Sequence, residues 1–148
     1  MITESLRSLY NRDLNKLKTE IEAYQNEENL WKIDKNIANS AGNLVLHLVG
    51  NLNHFIGTHL GNTGYVRQRD LEFYLKDVPR SELIEKIEAT ITMIESTLSK
   101  LSEEDLKKEY PLVVFENKMT TDYFLIHLIA HLDYHLGQIN YHRRLLDY

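Results

Sequence analysis

The chain has 148 residues, 43% of them hydrophobic and 26% charged, which fits one globular domain with a buried core. The net charge is −5 and the basic residues are scattered, so the composition argues against a nucleic-acid partner. There is no cysteine, which excludes disulfides, thiolate nucleophiles and cysteine-ligated zinc.

The N-terminal half of the chain predicts two amphipathic helices. The first begins at about Thr3, and its apolar residues recur at steps of three and four: Leu6, Leu9, Tyr10, Leu14, Leu17, Ile21 and Tyr24. The polar stretch that follows predicts a loop in which Trp31 and Ile33 contact the core. Ser40 is expected to cap a second helix that ends at about Leu60.

The C-terminal half predicts two more helices and a long connection. The stretch GNTG ends the second helix, and the segment after it predicts a loop with a short helical turn. Pro79 introduces a third helix with a clear apolar stripe. The stretch EYPLVVFENKM predicts an extended crossover with a short strand-like piece, and Thr120 or Thr121 caps a last helix to about Leu146. Four long helices with one long connection predict an all-α four-helix bundle.

The chain shows no signal for export or for a membrane. The first residues contain no apolar signal core, and no window approaches about 20 uncharged apolar residues. We therefore expect a single domain over residues 1–148, located in the cytoplasm, with no membrane partner.

Histidine is frequent, and its spacing indicates a metal site. His131 and His135 lie one helical turn apart and differ by about 40° around the helix axis, so both imidazoles can reach one ion. A third ligand must come from another helix, and His47 lies among the apolar residues of the second helix. Without cysteine, three histidines are a sufficient donor set for a divalent cation. Two alternatives stay open: core histidines satisfied by hydrogen bonds, and a pH-sensitive interface.

The other four histidines have different predicted roles. His127 is about 80° from His135, so we predict that it packs near the site without binding the same ion. His54 follows His47 by two turns on nearly the same face and is predicted at the mouth of a pocket. His59 and His142 lie near helix ends, where a protonated imidazole is favourable without any function.

Further polar residues are candidates for the surroundings of the site. Asn51 follows His47 by one turn and Gln138 follows His135 by three residues, so either could orient a ligand or substrate. Arg67 and Arg69 could bind an anionic group of a substrate, although ordinary solvated charge is the alternative for both. Asp133, rotated about 200° from His131, should face away from the site.

The pattern resembles the DinB-like superfamily of metal-binding four-helix bundles. The resemblance rests on an inward histidine on the second helix, followed by H-x-x-x-H-x-G-Q on the last, and it covers nearly the whole chain. The stretches SAGNLVLHLVGNL and RQRDLEF resemble a branch known as a domain of unknown function. Family members often have an arginine before the final Gly-Gln, where this chain has Leu136.

The resemblance also implies a cofactor, an activity and an assembly. It implies zinc or nickel on His47, His131 and His135, with water completing the coordination shell. Some relatives transfer a low-molecular-weight thiol to an electrophile, which is the activity we favour; hydrolysis by metal-bound water and non-catalytic metal binding are the alternatives. The implied partners are a small-molecule substrate, a thiol cosubstrate and a second copy of the chain in a homodimer.

Overall fold

The regular structure of the protein is helical throughout. A computed structural model describes residues 1–148, and the predicted all-α class is confirmed. The longer helices are α1 (Ile2–Glu22), α2 (Ala41–Leu52), α4 (Arg80–Leu98) and α6 (Thr121–Leu146). The shorter ones are α3 (Arg69–Tyr74), α5 (Glu103–Lys107), a 3-10 helix (Glu27–Trp31) and a π-helix (Asn53–Thr58).

The core lies between the longer helices. α1 packs against α4 and α6, and α2 packs against the same two helices. Each contributes an apolar face, because residues three and four apart lie on one side of a helix. Full burial of one such side chain, for example Leu14 or Leu48, stabilises the fold by about 1.5–3 kcal/mol. The buried Tyr10 hydroxyl also donates a 2.6 Å hydrogen bond to the carbonyl of Leu125, which joins α1 to α6.

The second helix begins as predicted but changes its geometry before it ends. The Ser40 hydroxyl caps α2 by accepting a 3.2 Å hydrogen bond from the Asn43 backbone N–H. After Leu52 the chain continues directly into the π-helix. A π-helical turn holds more residues than an α-helical turn, so side chains beyond this point rotate away from the face that α2 would have continued.

Two predictions about the connections are wrong. The segment after α1 is not a simple loop, since it contains the 3-10 helix; Trp31 packs against the core, but Ile33 is 50% exposed. The crossover before α6 contains no strand. Its one β-type contact is an isolated antiparallel bridge between Glu109 and Thr120, and α5 precedes it. None of the helices combines the length and the hydrophobicity that a bilayer span requires.

Candidate metal centre

Three histidines from two helices converge at the interface of α2 and α6. His47 is buried on α2, and His131 and His135 are half-buried one turn apart on α6. The Nε2 atom of His131 lies 3.2 Å from the Nε2 atoms of both His47 and His135. All three ligand atoms lie within 4.8 Å of one another.

Hydrogen bonds on the far side of two rings fix which nitrogen faces this point. Nδ1 of His47 lies 3.1 Å from Oε1 of Glu72, and an ionised carboxylate can only accept, so this Nδ1 carries the proton. Nδ1 of His135 lies 2.7 Å from Oε1 of Gln138, which is also an acceptor. In the neutral form of both rings Nε2 is therefore unprotonated, and its lone pair points at the shared centre. Such outer hydrogen bonds are typical of histidines that bind metals.

Glu72 is held in place by contacts at both ends of its side chain. The amide of Asn43 on α2 donates hydrogen bonds to the backbone carbonyls of Glu72 and Leu75, at 3.0 and 2.8 Å, which fastens α3 to α2. Arg67 donates to the Glu72 carboxylate from Nε at 2.9 Å and from Nη2 at 3.0 Å. A Cβ added to Gly50 would lie 1.9 Å from Oε2, so the glycine leaves the space that this carboxylate occupies.

The surroundings keep His131 and His135 neutral and Glu72 ionised. Burial, and then repulsion by His135 and His47, lower the pKa of His131 to about 4. Burial also lowers the pKa of His135. Burial alone would raise the pKa of Glu72, but hydrogen bonds from His47 and Arg67 outweigh this effect and lower it. At neutral pH His131 and His135 are thus in the form that binds metals, and Glu72 is ionised.

This donor set fits a divalent cation. Two nitrogens bound tetrahedrally to zinc at its usual bond length lie about 3.3 Å apart, close to the two 3.2 Å separations found here. Without a cation, lone pairs of His47 and His135 point at the same half-buried centre. The Nδ1 atom of His131 is buried without a partner, which leaves that ring free to present its Nε2 lone pair as well. The three residues could hold one ion.

Two cavities border the three histidines. One, of about 270 Å³, touches His47 and His131 and is lined as well by Asn51, Phe55, Arg67, Arg69, Val114, Phe115, Phe124, His127 and Leu128. We call it the arginine cavity. The other, of about 810 Å³, touches His135 and Gln138 and lies against the segment between the 3-10 helix and α2.

The structure brings several predicted residues to the site. Asn51 is buried and lines the arginine cavity, and Gln138 orients His135. His127 is exposed on the cavity wall, where its ring lies parallel to that of Phe124 at 5.8 Å between centroids. Arg67 is not solvated charge, because it pairs with Glu72. Arg69 is exposed at the cavity and forms no ion pair.

The structure differs from the predictions for His54 and His142 and agrees with the prediction for Asp133. His54 is not at the mouth of the cavity; the π-helix turns its ring towards His59, 4.8 Å away between centroids. His142 is buried, and burial lowers its pKa, so the expectation of a protonated imidazole is wrong. It hydrogen-bonds instead to Tyr24 Oη at 2.7 Å and to the carbonyl of Lys32 at 2.9 Å. Asp133 faces away from the site as predicted, and its carboxyl shares a hydrogen bond with Asp13 of α1.

The sequence patterns did not reveal Glu72 or the aromatic residues around the histidines. Glu72 follows His47 by 25 positions, in a segment without clear periodicity. One signal is Gly50, a glycine in a helix interior three residues after His47, because such glycines often leave room for another group. Glu72 and Phe73, whose ring centroid lies 5.0 Å from that of His47, both belong to the stretch RQRDLEF, but the family resemblance of that stretch does not indicate a contact with His47.

Comparison with known proteins agrees with this architecture. The model of a family described as "Protein of unknown function (DUF1572)" matches residues 3–147. The crystal structure of a DinB-like protein from Bacillus subtilis, YjoA, is similar with a TM-score of 0.67 and 18% sequence identity. The match covers 95% of this chain and 90% of that one, and it shows that the fold is DinB-like. No curated protein matches the chain.

Proposed function

Since the chain belongs to the DUF1572 family, which is described only as of unknown function, we propose its function from the site itself. The protein is a metal-dependent enzyme that joins a low-molecular-weight thiol to an electrophilic small molecule. The observation that carries the proposal is the convergence of three histidine ligand atoms within 4.8 Å of one another. In His47 and His135, hydrogen bonds also place a proton on Nδ1, the ring nitrogen that faces away from this centre.

The chain's own residues would prepare the site for a cation. His47, His131 and His135 would hold it, Glu72 and Gln138 keep two of these rings in the required orientation, and the remaining coordination positions stay open to reactants. A divalent cation bound to three neutral imidazoles keeps its full charge and can stabilise a thiolate at neutral pH. Zinc and nickel both suit imidazole donors.

Thiol transfer is favoured over hydrolysis by the position of the nearby carboxylates. Hydrolysis needs a general base close to the reacting water. Glu72 is occupied by His47 and Arg67, and Asp133 shares a hydrogen bond with Asp13 on the opposite side of α6. Thiol transfer makes a smaller demand: the sulfur bonds to the electrophilic carbon, the leaving group departs with its electron pair, and the thiol proton passes to solvent.

Two separate cavities beside the histidines also suit a reaction with two reactants. The chain has no cysteine of its own, so the thiol must enter as a cosubstrate. One cavity touches His47 and His131 and the other touches His135. A thiol and an electrophile could therefore approach the same centre from different sides.

The proposal is tested with purified protein loaded with zinc or nickel. Metal content is measured first, and conjugation of monobromobimane with a panel of low-molecular-weight thiols is then followed beside an ester and amide hydrolysis screen. His131→Ala should lose both metal and turnover, whereas His59→Ala, a half-buried histidine outside the site, should keep both. Hydrolysis without conjugation, or metallated protein with no turnover, would contradict thiol transfer. Metal retained by His131→Ala would contradict the site.

A further inference from the structure

The arginine cavity has a charge balance opposite to that of the whole chain. The chain carries 22 acidic residues and a net charge of −5, yet no acidic side chain lines this cavity and two arginines do. The charge of Arg67 is compensated by Glu72. The guanidinium of Arg69 lies over the ring of Phe73 at 5.3 Å and pairs with no carboxylate. One positive charge therefore remains for a ligand.

A buried amide beside the histidines also lacks a partner. Asn51 is only 7% exposed and lines the same cavity one turn after His47. Its Oδ1 atom is buried without any hydrogen bond. Buried polar groups in folded proteins are nearly always paired, so this oxygen is available to a hydrogen-bond donor of a bound molecule.

The remaining wall is aromatic and the space is small. Phe124 is fully buried, with the ring of Phe55 edge-on at 5.1 Å and that of His127 parallel at 5.8 Å. Phe115 also lines the cavity, with its ring centroid 4.9 Å from that of His127, and is 45% exposed. Aromatic walls favour flat apolar groups. A volume of about 270 Å³ is just below the usual range for ligand pockets, which limits the cavity to a small molecule.

We infer that the arginine cavity binds a small monocarboxylate with a flat, unsaturated or aromatic body. A carboxylate matches the two-donor edge of the single free guanidinium, and one negative charge balances it. The flat body would lie among the phenylalanine rings with its carboxylate at Arg69, and the Asn51 oxygen would accept a hydrogen bond from a donor group on that body. The role of such a compound as the electrophile rests on the proposed function, whereas its binding depends only on the residues of the cavity.

The test compares cinnamate with its uncharged amide by isothermal titration calorimetry, on zinc-loaded protein and after chelation. The acid should bind about tenfold more tightly than the amide in both states. Arg69→Gln should remove most of this preference while leaving the affinity for the amide unchanged. The matched control is Arg144→Gln, because Arg144 is likewise exposed, unpaired and placed over a ring, that of Tyr141 at 5.1 Å.

A second variant tests the aromatic wall, and two results would overturn the assignment. Phe115→Ala should lower the affinity for cinnamate and for its amide by the same factor, because it removes apolar contact without changing the charge of the cavity. Equal affinities for acid and amide in the native protein, or equal effects of Arg69→Gln and Arg144→Gln, would refute carboxylate recognition. Tighter binding of phenyl phosphate than of cinnamate would assign the cavity to another anion.

The same titrations separate this inference from the proposed function. A preference for the acid that disappears on chelation and survives Arg69→Gln would show direct binding to the metal, and the cavity assignment would be wrong. A preference that depends on Arg69 in protein that binds neither zinc nor nickel would uphold the cavity assignment and refute the metal-dependent function.

Discussion

Gly50→Ala is expected to weaken metal binding without changing any residue that contacts the metal. The new methyl carbon would lie 1.9 Å from Oε2 of Glu72, whereas real contacts of this kind are essentially never below 3.0 Å. The carboxylate must therefore move by about 1 Å. It cannot do so freely, because its oxygens are bonded to His47 at 3.1 Å and to Arg67 at 2.9 and 3.0 Å.

The expected size of the effect follows from the role of Glu72 in orienting His47. Loss of such an outer hydrogen bond lowers metal affinity by roughly 10- to 100-fold. At a free metal concentration 100 times the native Kd, binding raises the free energy of unfolding by about 2.7 kcal/mol. In the variant this increment should fall to between about 1.4 and 0.4 kcal/mol at the same concentration. The measurements are the metal-dependent shift in melting temperature and a competition titration against a chromophoric chelator.

Gly137→Ala is the matched control for this experiment. Gly137 lies in α6 between His135 and Gln138, and a Cβ added there meets no atom within 4 Å. This substitution should leave metal affinity unchanged and add up to about 1 kcal/mol of stability through helix propensity. If Gly50→Ala and Gly137→Ala bind metal equally well, Glu72 does not orient His47 in the way argued above.

Three further predictions concern titration and packing. In metal-free protein, His131 has a pKa of about 4 against 6.5 in the unfolded chain, so its contribution to the free energy of unfolding should be complete above pH 6.5 and decrease as the pH drops towards 4. Urea titrations with chelator at several pH values would measure this decrease. A free energy of unfolding that does not change with pH would contradict it. Burial and then Asp13 raise the pKa of Asp133 from 3.8 to about 6, so the effect of Asp133 on stability has the opposite pH dependence to that of His131. Its contribution to the free energy of unfolding is present at low pH and is lost as the pH rises through 6. Asp133→Asn should therefore gain up to about 1 kcal/mol at pH 7, after allowance for solvent screening, and an unchanged or lower stability would count against the shared hydrogen bond. His142→Ala should cost about 2–4 kcal/mol, because it opens a buried space and leaves Tyr24 unpaired, yet the metal-dependent melting shift should stay as in the native protein.

The sequence was sufficient to predict the helical class and the grouping of three histidines, because both depend on local periodicity. His131 and His135 lie one turn apart on any α-helix, and His47 lies among residues whose spacing marks a buried face. Glu72 could not be predicted in this way. Its position depends on a tertiary contact, in which Asn43 fastens α3 across α2, and no spacing rule applies between residues on separate elements.

The wrong prediction for His54 has a specific geometric cause. Seven residues on an ideal α-helix would return His54 to nearly the face of His47. The chain instead changes to a π-helix at Asn53, one residue before His54, and the wider turn changes the direction of every later side chain. Single-sequence patterns do not indicate such a turn, so the error was confined to the residues that follow it, while Asn51 lies at the cavity as expected.

Three of the four histidines of α6, His127, His131 and His135, divide into two roles because a four-residue spacing does not match the helical repeat. Four residues advance about 400°, so each step of four rotates the side chain by about 40°. One step keeps His131 and His135 at a common point, with 3.2 Å between their Nε2 atoms. A second step back places His127 about 80° from His135, where its ring packs on Phe124 in the wall of the arginine cavity. The same repeat thus places two imidazoles where a metal could bind and the third where a ligand could lie, so His127→Ala should weaken cinnamate binding and leave the metal-dependent melting shift intact.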